Sequence, residues 1–219
     1  VSVSAADGTA VSTAEEFANM KPDGKYYLAA VITLTASFGE FSGTFDGNGK
    51  TVTTSVPVFA KVTGTVKNLT VAGEINGTDT VAALAVEADG ATIEKVTNKA
   101  NVNTSKGHAA GIVALLNGNA STIAGCTNKG KIYGHHWTGG ICGLIDLTTT
   151  ITGCVNYGDI ESRNSIAGGI AGRLSSGEKV ASPENIVFTL KNCTNYGSVI
   201  GRDDETGGIV GWVKRVIYI

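Results

Sequence analysis

The sequence has few of the residues that mark several large protein classes. Its 219 residues include three prolines and one methionine, and only 16% are charged. Because 42% are apolar, the composition excludes a disordered chain, which would carry more charge and fewer apolar groups. The net charge of −2 lacks the basic excess of a surface that binds nucleic acid or anionic membranes. The longest apolar run, Tyr26 to Leu34, is too short for a transmembrane helix, so we predict neither a nucleic-acid partner nor membrane insertion.

Glycine, by contrast, is abundant, with 30 residues, and it recurs inside a repeat. The string Cys-Thr-Asn-Lys-Gly at Cys126 returns as Cys-Val-Asn-Tyr-Gly at Cys154 and Cys-Thr-Asn-Tyr-Gly at Cys193, with weaker copies at Leu69 and Val96. The five starting residues are 27, 30, 28 and 39 positions apart, a period typical of stacked repeats. Within each unit the apolar residues alternate or form short β-branched runs without helical periodicity. We therefore predict an all-β fold, a single-stranded parallel β-helix with one unit per coil.

Aligning the copies gives each repeated position a structural role. The cysteines should stack as reduced core residues, with Cys142 as a fourth buried thiol. The asparagines two positions later share one face, so their amides should hydrogen-bond from coil to coil. The next glycines are expected at sharp corners that require positive φ, and the Gly-Gly pairs mark a second corner. These positions are Cys126, Cys154 and Cys193; Asn98, Asn128, Asn156 and Asn195; Gly130, Gly158 and Gly197; and the pairs at 139–140, 168–169 and 207–208.

The whole chain, 1–219, is expected to form one domain. Residues 1–55 should hold an N-terminal cap and an initial coil, because a hydroxyl residue three positions before a glutamate at 12–16 begins a short helix. Tyr26 to Leu34 and Phe38 to Phe45 are each predicted to be one strand. Residues 56–212 should form the repeat coils, and 213–219 a terminal strand or the start of a continuation.

Three further strings point to a family. They are Phe41-Ser-Gly-Thr-Phe-Asp-Gly-Asn-Gly-Lys-Thr-Val52, Gly64-Thr-Val-Lys-Asn-Leu69 and the repeated Gly-Gly-Ile-x-Gly. With them, residues 13–212 resemble the GLUG-motif β-helix proteins of Bacteroidetes, and similar motifs occur in the non-catalytic part of bacterial immunoglobulin A1 proteases. The resemblance implies a right-handed parallel β-helix, an extracellular or outer-surface location and an adhesin-like role. It does not imply a protease, since the zinc-binding string His-Glu-x-x-His of such proteases is absent.

The segment between the two corners differs in every copy and is the candidate binding region. In-register coils should place these segments on one side of the solenoid, as a lateral strip. A tryptophan beside polar groups suits a glycan, because the ring covers C–H patches while amides and charged groups bind hydroxyls. The alternative is that these are solvated turn residues without a ligand. The lateral strip comprises Lys106, His108, His135, His136, Trp137, Arg163, Asn164, Arg202, Asp203 and Asp204.

Two groups within the lateral strip raise the question of a metal ion. His135 and His136 are adjacent, so in a strand they would face opposite sides and only one could join His108. The run Asp203-Asp204-Glu205 could hold calcium, although its spacing does not match an EF-hand loop. We predict no metal site and no cofactor, with calcium as the lesser alternative.

These observations predict a non-catalytic cell-surface or secreted module that presents a lateral binding face to a glycan or a host surface protein. One alternative is a spacer, or substrate-positioning arm, of a larger secreted protease. Another is a pectate-lyase-like enzyme, because the Phe-Asp-Gly-Asn-Gly turn also resembles those β-helices and Arg163 or Arg202 with Asp203 could supply basic and acidic groups. Asp159 and Glu161 lie on one face of a predicted strand without the opposite wall that a glycosidase needs. We predict that the chain is not an enzyme.

Overall fold

The computed structural model describes residues 7–175, 186–202 and 205–214. Strands dominate these residues, and their pairing is parallel, each strand lying between equivalent strands of the previous and the next coil. The predicted fold, an all-β parallel β-helix with a short N-terminal helix, is confirmed.

Four sheets run along the solenoid. Sheet 1 contains β1 (Thr9–Val11), β2 (Lys25–Leu28), β5 (Thr44–Asp46), β8 (Thr65–Lys67), β12 (Thr92–Glu94), β17 (Ser121–Ala124), β22 (Thr149–Thr152) and β27 (Phe188–Lys191). Sheet 2 contains β3 (Ile32–Leu34), β6 (Thr51–Thr54), β9 (Thr70–Gly77), β13 (Thr97–Asn98), β14 (Asn101–Thr104), β18 (Thr127–Asn128), β19 (Ile132–Gly134), β23 (Val155–Asn156), β24 (Ile160–Ser162), β28 (Thr194–Asn195) and β29 (Val199–Ile200).

The remaining strands form two further sheets. Sheet 3 contains β10 (Val81–Ala82), β15 (Ala109–Ala110), β20 (Thr138–Gly139), β25 (Ala167–Gly168) and β30 (Thr206–Gly207). Sheet 4 contains β4 (Phe38–Phe41), β7 (Phe59–Val62), β11 (Ala85–Ala88), β16 (Val113–Leu116), β21 (Cys142–Ile145), β26 (Ala171–Ser175) and β31 (Val210–Lys214).

One coil passes through the sheets in numerical order, and successive coils are in register. From β12 the chain continues through β13, β14, β15 and β16 before β17 begins the next coil. Ile93 lies beside Ile123, and Ile123 beside Ile151, and all three are fully buried. Equal positions of the repeat therefore form continuous apolar columns, which remove most of the apolar surface from water.

The corner between sheets 1 and 2 is built in the same way in five coils. The residue before each repeat start is left-handed; the five residues, with φ of 53, 52, 60, 61 and 55°, are Asn68, Lys95, Gly125, Gly153 and Asn192. Glycine adopts this conformation freely, asparagine tolerates it, and lysine is strained in it. The left-handed residue of this corner thus lies directly before the repeat string, whereas we predict positive φ at a glycine inside the string.

The glycines that follow the repeated asparagines are needed for a reason other than the predicted one. Gly130, Gly158 and Gly197 do not have a positive φ, so that prediction is wrong. A Cβ added at Gly158 would overlap the carbonyl oxygen of Gly130, and the same overlap occurs one coil before and one coil after. The close approach of neighbouring coils excludes a side chain at this position.

The helix α1 (Ala14–Ala18) lies at the N-terminal end of the core. Thr13 is its N-cap, and its hydroxyl accepts a hydrogen bond from the N–H of Glu16 at 3.1 Å. Phe17 is fully buried and packs edge-on against Phe45, with ring centroids 5.6 Å apart. Within the described ranges, where α1 has only five residues, no helix is long and apolar enough to cross a membrane.

Two stretches near the N terminus that we predict as single strands are each divided by a corner. Tyr26 to Leu34 contains β2 of sheet 1 and β3 of sheet 2, and Phe38 to Phe45 contains β4 and the start of β5. Apolar residues continue across the corner because both sides face the same core, so the pattern alone does not reveal the bend. As a result, residues 1–55 already contribute strands to sheets 1, 2 and 4.

Candidate binding face

The segments of the predicted lateral strip lie in one stack of bends between sheets 2 and 3. The N–H of Asn164 donates to the carbonyl of His135 in the coil before it at 3.1 Å, and the other bends are joined in the same way. Asp203 and Asp204 lie outside the described residues. Among the others, the exposed ones are Lys106, Asn164 and Arg202, and the half-buried ones are His108, His135, His136, Trp137 and Arg163.

The rings of His108 and Trp137 stack between neighbouring coils. The strands that follow them pair with Ala109 opposite Thr138, which places the two rings at one register position. Their centroids are 4.5 Å apart and their planes differ by 4°. The backbone N–H of Trp137 also donates to Nδ1 of His108 at 3.3 Å, so this nitrogen supplies a lone pair.

Three imidazoles meet beside this contact. The ring centroids of His108 and His136 are 5.9 Å apart, and those of His135 and His136 are 4.6 Å apart at an angle of 85°. His135 and His136 thus face each other, contrary to our expectation of opposite sides, because they lie in a bend and not in a strand. Burial lowers the pKa of His108 to about 4, and the charges of His136 and Arg173 act in the same direction. In the part of the chain that the structure describes, no three His, Cys, Asp or Glu side chains are grouped to hold a metal ion.

Arg173 and Trp212 extend the contact, and neither belongs to the predicted lateral strip. The guanidinium Cζ of Arg173 lies 4.3 Å from the ring centroid of Trp137 and 4.5 Å from that of Trp212. Together His108, Trp137, Arg173 and Trp212 form an aromatic–arginine stack. In sheet 4, Arg173 lies between Leu144 and Trp212. The sequence signal for both residues is the position directly after Gly-Gly-Ile-x-Gly, which holds leucine, arginine and tryptophan in three successive copies.

Trp137 has a neighbour from the coil before it and a neighbour from the coil after it. His108 lies parallel to its ring, and the guanidinium of Arg173 lies over it from the other direction along the rod. A sugar that packs on a face of Trp137 would therefore have to displace one of them. The ring edge is what this residue offers to a ligand, and its faces stabilise the stack.

Arg163 is held in place by a second aromatic contact. Its Cζ lies 3.9 Å from the ring centroid of Tyr133, and its Nη2 donates to Oδ1 of Asn103 at 3.1 Å. These contacts occupy one face and one donor of the guanidinium, and among the described residues no acceptor takes its other N–H groups. Together with the exposed side chain of Asn164, Arg163 supplies polar groups next to the stack.

A continuous asparagine ladder runs through the interior of the same coils. Nδ2 of Asn98 donates to Oδ1 of Asn128 at 2.8 Å, and the next two steps, to Asn156 and then Asn195, are both 2.7 Å long. Each Nδ2 also donates to the carbonyl two residues later, at 2.8 to 3.0 Å. The second corner packs against this ladder: a Cβ added at Gly140 would lie 2.6 Å from Cγ of Asn156. The ladder and the Gly-Gly corner thus fix the coils that carry the candidate binding face.

The four cysteines are free thiols inside the solenoid. Cys126, Cys142 and Cys154 are buried and Cys193 is half-buried. Burial raises the pKa of Cys142, and a sulfur hydrogen bond with Cys126 together with burial raises the pKa of Cys154 to about 12. A protonated, buried thiol is a poor nucleophile and a poor metal ligand, so these residues act as small apolar groups of the core.

Comparisons with known proteins bear on the fold. No family model matches the chain, and no curated protein matches it significantly. A solved chain described as "IgA1 Protease" is similar to it, with a TM-score of 0.61 and 18% identity over 90% of this chain. The matched region is 19% of that larger chain. At this identity the likeness shows the fold alone; it agrees with the motif resemblance to such proteases, while the GLUG assignment stays a prediction.

Proposed function

We propose that this chain is a non-catalytic module of a secreted or cell-surface protein and that it binds a glycan along its lateral strip and the adjoining aromatic–arginine stack. The observation that carries the proposal is the aromatic–arginine stack, which extends over four successive coils on the outside of the β-helix. Four coils at strand spacing give a face about 14 Å long. The indole N–H groups at the ring edges, the guanidinium groups and an exposed amide are hydrogen-bond donors along such a face, and they suit the hydroxyls of a chain of sugars.

The rigidity of this face supports a binding role. Arg163 and Arg173 are fixed by ring contacts, and the coils beneath them are fixed by the asparagine ladder. A ligand then meets side chains that have already lost most of their rotamer freedom, which reduces the entropic cost of binding. Solvated turn residues without a ligand would not need these contacts, although such contacts also stabilise the fold.

A second candidate function is a spacer or substrate-positioning arm of a larger secreted protease. The likeness to part of a chain described as an IgA1 protease supports it. In that case the rod would hold other domains at a distance, and its lateral strip would contact a protein substrate or no ligand at all.

Activity on acidic polysaccharides, abolished by Arg202→Gln or Asp203→Asn, would instead favour the lyase alternative.

The glycan proposal is tested by binding of the purified chain to an array of neutral and acidic glycans, with and without calcium. We expect binding that Arg163→Gln and Asn164→Ala each weaken severalfold. Lys191→Gln is the matched control, because Lys191 is exposed in β27 of sheet 1, away from the bends. Absence of binding to every glycan would contradict the proposal and favour the spacer. Binding that is unchanged in both strip variants would remove the lateral strip as the site.

A further inference from the structure

Arg173 lies between two indole rings, and within the described residues its guanidinium makes few of the hydrogen bonds that it can donate. Among those described residues its buried Nε–H has no acceptor, and its side chain makes one long hydrogen bond, from Nη2 to Oγ of Ser175 at 3.5 Å. In the described residues no carboxylate lies within ion-pair distance of it. A guanidinium has five N–H donors in a planar fork, so most of the donors of Arg173 find no acceptor in the part of the chain that the structure describes.

The two indoles determine which side of Arg173 a ligand can reach. Trp137 and Trp212 each lie about one ring thickness from the guanidinium, at 4.3 and 4.5 Å. Trp137 belongs to the coil before Arg173 and Trp212 to the coil after it, so the two rings flank the guanidinium along the rod, and a ligand would approach the edge between them. That edge is the geometry that pairs with a planar oxyanion through two parallel hydrogen bonds.

The surroundings favour a negatively charged group at this position. Asp146 is half-buried; burial raises its pKa and the charge of Arg173 lowers it, and within the described residues the two side chains form no ion pair. On the same side, His108, His136 and Arg163 are groups that carry positive charge or none. An anion that reaches Arg173 thus finds a guanidinium that no described carboxylate pairs with; Asp146 and, beside His108, Asp79 are the nearby acidic groups.

We propose that the Arg173 edge binds the carboxylate of an acidic sugar, a uronic or sialic acid residue, within the glycan of the proposed function, on which this inference rests. The edges of Trp137 and Trp212 would contact the C–H groups of the same sugar ring. An extended acidic peptide fits less well, because β26 already has a parallel partner on each side, β21 and β31, and offers no free strand edge for backbone pairing.

The test compares binding of uronate-rich and sialylated oligosaccharides, their methyl esters and neutral oligosaccharides to the wild-type chain. We expect the acidic ligands to bind at least about tenfold more tightly than their methyl esters, as the loss of a charge-assisted hydrogen bond implies. We also expect Arg173→Gln to remove this difference and Arg173→Lys, which keeps the charge without the planar fork, to reduce it. Arg163→Gln is the matched control, since it removes an arginine from the same face and should keep the preference for the acid.

The outcomes separate this inference from the proposed function. Equal binding of acids and esters, or binding of neutral glycans alone, would overturn the carboxylate site and leave glycan binding standing. Equal losses of the preference for the acid over its ester in Arg163→Gln and Arg173→Gln would show general charge attraction and overturn it too. Absence of binding to all glycans would remove the proposed function itself. The ester comparison uses the wild-type chain, so the inference stays testable even if Arg173→Gln does not fold.

Discussion

The imidazole of His108 lies parallel to the indole of Trp137, 4.5 Å away, with its Nδ1 accepting the Trp137 backbone N–H. One contact thus joins two coils through both ring stacking and a hydrogen bond. It also buries a titratable group whose charged form is unfavourable, since His136 and Arg173 lie on the same side and only Asp79 opposes them.

The first prediction concerns stability at mildly acidic pH. The pKa of His108 is about 4 in the fold, against about 6.5 in an unfolded chain, so between these values the unfolded chain binds a proton that the fold does not. Stability should therefore decrease as the pH falls from 6.5 to 4, by about 1–2 kcal/mol for a half-buried ring. Urea unfolding at pH 7.5 and pH 5 should show a smaller difference for His108→Gln than for wild type. Equal differences in the two proteins would contradict the burial of a neutral His108.

The second prediction concerns the asparagine ladder. Asn128→Ala removes hydrogen bonds to Asn98, Asn156 and the Gly130 carbonyl and leaves buried groups without partners. We expect a loss of about 2–4 kcal/mol in the free energy of unfolding, measured by chemical denaturation. Asn164→Ala, at an exposed bend, should change it by less than about 0.5 kcal/mol. A similar loss in both variants would show that the ladder adds nothing beyond packing.

The third prediction separates close approach from backbone conformation at glycine. Gly158→Ala places a methyl group against the carbonyl oxygen of Gly130, which cannot move without shifting a whole coil. We expect it to destabilise the fold by about 3 kcal/mol or more. Gly39→Ala is the control, because a Cβ at Gly39 has no neighbour within 4 Å. A melting temperature of Gly158→Ala equal to that of Gly39→Ala would refute the proposed steric role.

The fourth prediction uses the left-handed corner. Lys95 has a φ of 52° where two other coils have Gly125 and Gly153. Lys95→Gly should stabilise the fold by up to about 1 kcal/mol, because it relieves strain that exceeds the entropy glycine adds to the unfolded chain. Gly153→Ala should cost about 1 kcal/mol by the opposite change, since a Cβ there meets only Gly125 N at 4.0 Å. Thermal unfolding of both variants should give shifts of opposite sign, and shifts of the same sign would argue against the corner strain.

The fifth prediction concerns the thiols. Because Cys142 and Cys154 are buried and the pKa of each is raised, an aromatic disulfide reagent at pH 8 should react with them only when the chain unfolds. The reaction, followed as release of the reagent's aromatic thiol, should therefore be slow in buffer and fast in denaturant. Cys193, which is half-buried, should react earlier than the others. Rapid reaction of Cys126, Cys142 and Cys154 in the native protein would contradict their burial.

The repeat made the solenoid predictable because like residues in successive coils must share one environment. The asparagines could be assigned to a ladder since a buried amide needs a partner, and the same amide one coil away is the nearest one. The corners were harder. Asn68, Lys95 and Gly125 adopt the same left-handed backbone conformation. Because three residue types occupy this one position, no single residue type in the sequence marks the corner.

The candidate site was predictable in part for a related reason. His108 and Trp137 lie in segments that differ between coils, and this variation is what indicates a candidate binding region. Arg173 and Trp212 follow a glycine motif and project from a different sheet, and only the folded bend brings Trp137 across to them. Contacts between sheets of one solenoid depend on the angle of the bend, and alignment of the copies contains no information on that angle.

The spacing of the ladder has a practical consequence. Asn128 and Asn156 are 28 residues apart and Asn156 and Asn195 are 39 apart, yet the hydrogen bond from Nδ2 to Oδ1 is 2.7 Å long in both pairs. Eleven additional residues between β26 and β27 therefore leave the pitch of the rod unaltered. The connection between β26 and β27 is therefore a suitable insertion site. A foreign epitope, an affinity tag or a small domain inserted there should leave the preceding and following coils in register.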